Sequence, residues 1–188
     1  MRRRNREQSV LPPRPDFDAL EAAARRSSEQ RLTLLAQIGD LNFAWSNNES
    51  MFIYVLMLLL DTSEPAAAIV FSTLNTTRAR LDLVQRLAKI SLSDKALRDE
   101  LTEIVKDFSD GTKLRNDLNH ASFVISESGE ITHTQNMKLE ESRGNLRFGV
   151  RRPVDKARLD EIATAIGNLY TLNRRIWDFI PRLERATD

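Results

Sequence analysis

The chain contains no cysteine and only two histidines among its 188 residues. Without cysteine it can form neither disulfide bonds nor thiolate metal sites, and it fits a reducing compartment. Glycine-rich phosphate loops of the GxGxxG or GxxxxGK type are also missing, which argues against dinucleotide-dependent enzymes and P-loop NTPases. The sequence therefore predicts no cofactor and no metal site.

Long hydrophobic runs are missing as well. The longest, "MFIYVLMLLL", covers the ten residues from Met51 to Leu60, too few to cross a bilayer core of about 30 Å. The amino-terminal segment has no apolar core of the kind that a secretory signal requires. We therefore predict a cytoplasmic protein that makes no contact with a membrane.

Excess positive charge is confined to one end of the chain. Residues 1–15 hold five arginines and one glutamate, a net charge of +4. Subtracting that from the chain total of +1 leaves −3 for residues 16–188. The main part of the chain therefore lacks the overall basic charge of a constitutive nucleic-acid binder, and RNA binding would need a local basic site.

The same basic segment is rich in proline, which predicts a disordered arm over residues 1–15. The arm is either a solvated tail or a phosphate-binding extension. Residues 16–188 are long enough for a single domain with a genuine core.

Apolar residues at three- and four-residue steps predict a largely helical domain. Helices are expected from Asp16 or Asp18, over 31–61, from Ser63, over 76–90 and from Ser93, with a break or kink at 109–111. A last helix should start at Asp155 and end at Pro181, which marks a helix end by sequence.

Alternating residues interrupt this pattern at 122–127 and 130–141, and "LRFGVR" follows as a third strand. The predicted fold class is mainly α: a helical bundle with a small three-stranded antiparallel β-meander inserted before the carboxyl-terminal helix, at about 122–151.

The stretch "KLRNDLNH", residues 113–120, concentrates polar side chains near the end of a predicted helix. At about 100° per residue, Arg115, Asn116, Asn119 and His120 share an arc of about 140°. Arginine offers a planar fork of donors that fits a phosphate, and histidine readily exchanges protons near neutral pH. Such a set suits metal-free acid–base chemistry on a phosphodiester, although a solvated helix end would look similar.

Glu49 stands in the apolar stripe of the long helix 31–61, with Asn48 beside it. A buried carboxylate needs a cationic or hydrogen-bonding partner. Arg115 and His120 are the expected partners if the two helices pack together. Alternatively, the stripe rotates around the helix and Glu49 reaches solvent.

"RNDLNH" resembles the motif of HEPN-like domains (higher eukaryotes and prokaryotes nucleotide-binding), in which an arginine and a polar residue precede a histidine by a few positions. The order of elements is also similar, from the helix carrying "WSNNE" at 45–49 to the closing helix. The similar parts are residues 30–122 and 155–183.

The resemblance implies a helical bundle that forms a homodimer, with two motifs facing one cleft. It also implies a metal-independent endoribonuclease of a toxin–antitoxin or phage-defence system, so RNA or a nucleotide and an antitoxin protein become expected partners. By this resemblance His120 transfers the proton, Arg115 stabilises the phosphorane, Asn116 orients the site and Glu49 holds Arg115 or His120. Asn119 and Asn48 are expected at the substrate.

One departure from the family pattern concerns regulation. A toxin subgroup paired with nucleotidyltransferase antitoxins carries tyrosine two residues after the histidine, where this chain has Ser122. Some HEPN-like domains do not catalyse, which leaves a second hypothesis: a dimeric interaction or nucleotide-sensing module whose Arg–His–Glu cluster is structural.

Overall fold

The computed structural model describes residues 16–25, 28–136, 139–142 and 144–187, so the predicted arm at 1–15 lies outside the described residues. The described residues form six helices and five short strands. The helices are α1 Phe17–Arg25, α2 Glu29–Leu59, α3 Glu64–Thr73, α4 Thr77–Ser91, α5 Lys95–Asn119 and α6 Lys156–Thr187. The strands are β1 Ala121–Ile125, β2 Ile131–Asn136, β3 Leu139–Ser142, β4 Asn145–Phe148 and β5 Arg151–Pro153. The predicted fold class is confirmed.

Helix α2 is the centre of the bundle. It begins where the Ser28 side chain accepts a hydrogen bond from the backbone N–H of Arg31 at 3.2 Å, which caps a helix end that would otherwise have free donors. Its inner face carries Leu41, Phe52 and Leu56, all with no exposed surface. Burial of each such side chain stabilises the fold by about 1.5–3 kcal/mol.

Two helices flank α2 in opposite directions. Helix α6 runs parallel to it, since Gln37 donates to the Leu159 carbonyl and Asn48 to the Leu169 carbonyl farther along both helices. Helix α5 runs antiparallel to it, so the end of α5 lies beside the first half of α2. This antiparallel contact fixes the position of the motif.

The predicted break at 109–111 is wrong, because α5 continues through it. Gly111 lies against α6, where an added Cβ would stand 2.8 Å from Cδ2 of Leu169. The glycine thus permits a close helix–helix contact rather than ending a helix.

Helix α6 likewise continues past Pro181, where its end was predicted. The last turns are held by Leu183, which has no exposed surface, and by Arg182, which donates to Glu100 of α5 at 2.6 Å. That hydrogen bond raises the pKa of the Arg182 guanidinium. Tertiary contacts therefore outweigh the hydrogen bond that proline cannot donate.

The inserted strands differ in detail from a simple meander. The three-stranded antiparallel sheet has the order β1-β2-β5, while β3 and β4 pair with each other in a separate two-stranded sheet. The predicted third strand is thus divided, since Arg152 of β5 pairs with Thr134 of β2 and β4 belongs to the separate hairpin. Gln30 of α2 attaches the sheet to the bundle through two hydrogen bonds to the Ile131 backbone, at 2.9 and 3.2 Å.

Among the described residues, none of the helices has by itself the length and apolarity needed to cross a membrane. The pair α2 and α3 meets that criterion only when the two are taken together, across a bend of 120°.

Candidate functional site at the end of helix α5

Arg115 points from α5 towards α2. Its Nε donates to Oδ1 of Asn42 at 3.1 Å and its Nη1 donates to Oδ1 of Asn116 at 3.1 Å. Its guanidinium carbon lies 4.2 Å from the ring centre of Trp45. Stacking on an aromatic face and two hydrogen bonds hold the guanidinium in one orientation.

The Trp45 ring is itself fixed from both sides. Its Nε1 donates to Oγ1 of Thr112 at 2.8 Å, and its ring is stacked on Phe108 with centroids 5.6 Å apart. Trp45 is 6% exposed. The indole therefore forms a rigid platform between the core and Arg115.

Asn119 lies one turn after Arg115 and binds the same partner. Its Nδ2 donates to Oδ1 of Asn42 at 2.8 Å, and the Asn42 amide donates back at 3.2 Å. Asn42 also donates to the Ile38 carbonyl of its own helix at 2.8 Å. Sequence reasoning missed Asn42. The sequence did contain an indication of its place: Asn42 stands three residues before Trp45, so the two side chains lie on neighbouring faces of α2.

His120 is the C-cap residue of α5, and its backbone N–H bonds to the Asn116 carbonyl at 3.1 Å. The side chain is exposed, and its ring makes no hydrogen bond within the described part of the chain. His120 and Asn116 line the same open cleft between α4 and α5, which has a volume of about 750 Å³. The two residues were predicted to act together, and the structure brings them to one surface.

The cleft carries cations of both helices. Arg78 of α4 and Lys106 and Lys113 of α5 line it, together with Asp82 and Asp110. Lys113 pairs with Asp110 at 2.7 Å. The cleft thus has a small positive excess in a domain whose total charge is negative, which suits an anionic ligand.

Glu49 has partners other than those predicted. Its Oε1 accepts from Nη1 of Arg80 at 3.0 Å and from Oγ1 of Thr77 at 2.8 Å, and its side chain is 14% exposed. The prediction that Glu49 needs a cationic partner is confirmed, while the choice of Arg115 or His120 is wrong. The sequence pattern does not give the direction of α4. In the structure α4 runs parallel to α2, and this places Arg80 beside Glu49.

Asn48 is fully buried rather than placed at a cleft. Its Nδ2 donates to the carbonyls of Ala44 and Leu169, at 2.8 and 2.9 Å. The amide therefore joins α2 to α6, and in this structure Asn48 does not reach the cleft where it was expected to meet a substrate.

Asp117, in the middle of the motif, anchors the end of α5. Its Oδ2 accepts from Arg158 of α6 at 3.0 Å and lies 3.3 Å from Nη1 of Arg152 of β5. Its Oδ1 accepts from Nδ2 of Asn136 of β2 at 2.8 Å. Arg158 is 7% exposed, so this is a buried ion pair. The sequence indicates this buried position, because Arg158 stands one turn before Ile162, in line with the apolar stripe of α6.

The motif residues therefore face two ways. Arg115 and Asn119 contact α2, while Asn116 and His120 line the cleft, and Asn116 connects the two groups through its bond to Arg115.

Among the described residues, no group of three or more His, Asp and Glu side chains is placed to hold a metal ion. Comparison with known proteins finds no matching protein family, no matching curated protein and no matching solved structure.

Proposed function

We propose that the protein is a HEPN-like, metal-independent endoribonuclease, acting in the cytoplasm as a toxin or phage-defence factor, with a composite site in a homodimer. The observation that carries this proposal is the exposed His120 in the α4–α5 cleft, one turn from an Asn116 that is bonded to Arg115. A proton carrier thus lies in the same cleft as an amide that is bonded to a phosphate-binding fork.

The proposed chemistry uses these groups in turn. His120 accepts the proton of a ribose 2′-hydroxyl, and the resulting oxygen attacks the adjacent phosphorus. The bond to the 5′-oxygen breaks, and that oxygen takes a proton from an imidazolium, which the second motif of the dimer supplies. The products are a 2′,3′-cyclic phosphate and a 5′-hydroxyl.

Arg115 is suited to the charge that develops on the phosphorane. Its Nε and Nη1 are bonded to asparagine side chains, while Nη2 makes no hydrogen bond within the described residues. A fixed guanidinium with one free edge stabilises charge without reorganising during the reaction. Arg78 and Lys113 line the α4–α5 cleft together with His120 and would hold flanking phosphates there.

A second candidate function is supported by the contacts that Arg115 makes with α2. Its stacking on Trp45 and its bond to Asn42 already give it a structural role. In this alternative the protein is a non-catalytic HEPN-like dimer that serves as an interaction or nucleotide-sensing module. The cluster then stabilises the fold, and an antitoxin or other protein is bound without RNA cleavage.

The decisive experiment is to incubate the purified protein with end-labelled RNA in EDTA, beside the variants His120→Ala and His133→Ala. His133, the other histidine, lies on β2 and is the matched control. We expect cleavage by the wild type and by His133→Ala, and a loss of about 100-fold or more in His120→Ala.

Two results would count against the nuclease: no cleavage by the wild type, or equal cleavage by His120→Ala. The structural alternative instead predicts that Arg115→Ala lowers the melting temperature while no nuclease activity exists to be lost.

A further inference from the structure

His120 lies at the junction between helix α5 and the inserted sheet. It is the C-cap residue of α5, and Ala121 directly after it begins β1. Its ring makes no hydrogen bond to a described residue, so the position of the imidazole depends on the backbone to either side. Because the last turn of a helix frays readily, a fixed imidazole at this position needs contacts from outside α5.

The inward face of β2 is polar near the end of the strand. Thr134 and Asn136 are only 4% and 6% exposed, at positions where a strand packed on a core normally carries apolar residues. Burying an amide side chain costs free energy unless the amide is hydrogen-bonded. A buried asparagine therefore indicates a specific partner.

Asn136 contacts the chain on both sides of His120. Its Nδ2 donates to Oδ1 of Asp117 at 2.8 Å, three residues before the histidine. In the antiparallel pairing of β1 with β2, Asn136 lies opposite Ala121, immediately after the histidine. One residue thus connects the last turn of α5 to the first residue of β1, with His120 between them. We call these two contacts the Asn136 clamp.

The Asn136 clamp is itself fixed to the rest of the domain. The backbone N–H of Asn136 donates to the Val150 carbonyl at 3.0 Å, and Gln30 of α2 binds the opposite end of β2. The second carboxylate oxygen of Asp117 lies 3.0 Å from Nη2 of Arg158 on α6. Contacts from the sheet, from α2 and from α6 therefore oppose movement of the clamp relative to the bundle.

We propose that Asn136 is a positioning residue for His120, and that the inserted sheet is therefore part of the proposed active site. The inference rests on the proposed function, in which His120 transfers the proton. By holding Asp117 and Ala121, Asn136 keeps the imidazole in the α4–α5 cleft, where it can accept the proton of a 2′-hydroxyl. Proton transfer needs heavy atoms within hydrogen-bond reach, and a displacement of about 1 Å can lower a rate about 100-fold.

Two substitutions remove the side-chain contact of the clamp in different ways. Asn136→Asp keeps the size of the side chain but sets a carboxylate against Asp117, where like charges repel. Asn136→Ala removes the donor without adding charge. Thr134→Ala is the matched control, because it truncates a buried polar side chain of the same strand, which lies opposite Phe123 rather than beside His120.

Steady-state cleavage of labelled RNA separates positioning from substrate binding. We expect both Asn136 variants to lower kcat about 100-fold and to leave KM unchanged, because the phosphate-binding side chains of the cleft stay in place. Thr134→Ala should keep the wild-type kcat, even if thermal denaturation shows that its melting temperature falls as far. An equal loss of kcat in Thr134→Ala would reduce the effect to general destabilisation and overturn the proposal.

NMR relaxation of the backbone amides tests the clamp without any RNA. The order parameters of His120 and Ala121 should be about 0.85 in the wild type and fall to about 0.6 in Asn136→Asp. Unchanged order parameters, or lower ones without a loss of kcat, would overturn the proposal. A wild type that cleaves no RNA would overturn the proposed nuclease and with it the catalytic part of this inference. The order parameters would then still decide whether Asn136 holds His120, so the two failures are distinguishable.

Discussion

Arg115 lies over the ring of Trp45, with its guanidinium carbon 4.2 Å from the ring centre. A residue predicted to meet a substrate is thus also a packing residue, held to α2 by the indole and by Asn42. Substitutions at Arg115 therefore change stability as well as any activity, and a loss of activity alone would not identify its role.

The first prediction concerns the Trp45 platform. Trp45→Phe keeps an aromatic ring but removes the hydrogen bond to Thr112, so the free energy of unfolding should fall by about 1–2 kcal/mol. Urea denaturation followed by circular dichroism measures it. Trp177→Phe on α6, where the indole is 59% exposed, should change stability by less than about 0.5 kcal/mol. Equal losses in the free energy of unfolding for Trp45→Phe and Trp177→Phe would contradict the proposed role of Trp45 as a rigid platform.

The second prediction concerns Glu49 and Arg80. Because their ion pair is largely buried, Glu49→Gln and Arg80→Met should each destabilise the fold, and a double-mutant cycle should give a coupling of about 1 kcal/mol or more. Arg80→Met should cost more, since Arg80 also donates to the carbonyls of Phe71 and Leu74.

The same pair tests the role of Glu49 in the nuclease. Glu49 is bonded to α4 rather than to Arg115 or His120. We therefore expect Glu49→Gln to keep its rate of RNA cleavage, measured below its unfolding temperature, within a few-fold of the wild type. A loss as large as that of His120→Ala would place Glu49 in the reaction.

The third prediction concerns Asp117. Asp117→Asn removes the less exposed of the two carboxylates that pair with the nearly buried Arg158, the other being Glu161, and should cost about 3 kcal/mol. Asp110→Asn, which breaks the exposed pair with Lys113, should cost less than about 1 kcal/mol. Thermal denaturation of both variants at one pH compares them. Similar melting temperatures would show that Asp117 does not anchor the end of α5.

The fourth prediction concerns two glycines in helices. Gly111→Ala should destabilise the protein by about 1–3 kcal/mol, because the new methyl group would stand too close to Leu169. Gly167→Ala on α6, where nothing lies within 4 Å of the new atom, should stabilise it by about 0.5–1 kcal/mol. Chemical denaturation should thus give opposite signs for the same substitution.

Much of the fold follows from the sequence, because helical periodicity and strand alternation are local properties. Ser63 precedes α3 at the predicted N-cap position, although its side chain makes no capping hydrogen bond. Asp155 starts α6 as predicted, where its side chain accepts from the backbone N–H of Arg158. The errors at Gly111 and Pro181 have one cause: both residues disfavour helices locally, but contacts between α5 and α6 decide the outcome. Such contacts join residues far apart in sequence, and no local pattern contains them.

In the candidate site, too, local spacing predicts some features, while others depend on how the helices pack. The shared helix face of Asn116 and His120 follows from spacing alone, and the structure places both in one cleft. The partners of Glu49 and Arg115 depend on which helices are neighbours and in which direction they run. The pairing of Arg80 with Glu49 and of Asn42 with Arg115 therefore follows only from the folded structure.

Because side chains of "RNDLNH" point in opposite directions, a comparison of homologous sequences at these positions can separate selection for stability from selection for chemistry. Arg115, Asp117, Leu118 and Asn119 are each held by packing, hydrogen bonds or ion pairs. Natural selection for stability would preserve these four whether or not the protein cleaves RNA. His120 is exposed, and its ring has no hydrogen bond within the described residues. Its retention in divergent homologues would therefore indicate selection for chemistry, while its free replacement beside an unchanged Arg115 and Asp117 would indicate selection for the scaffold.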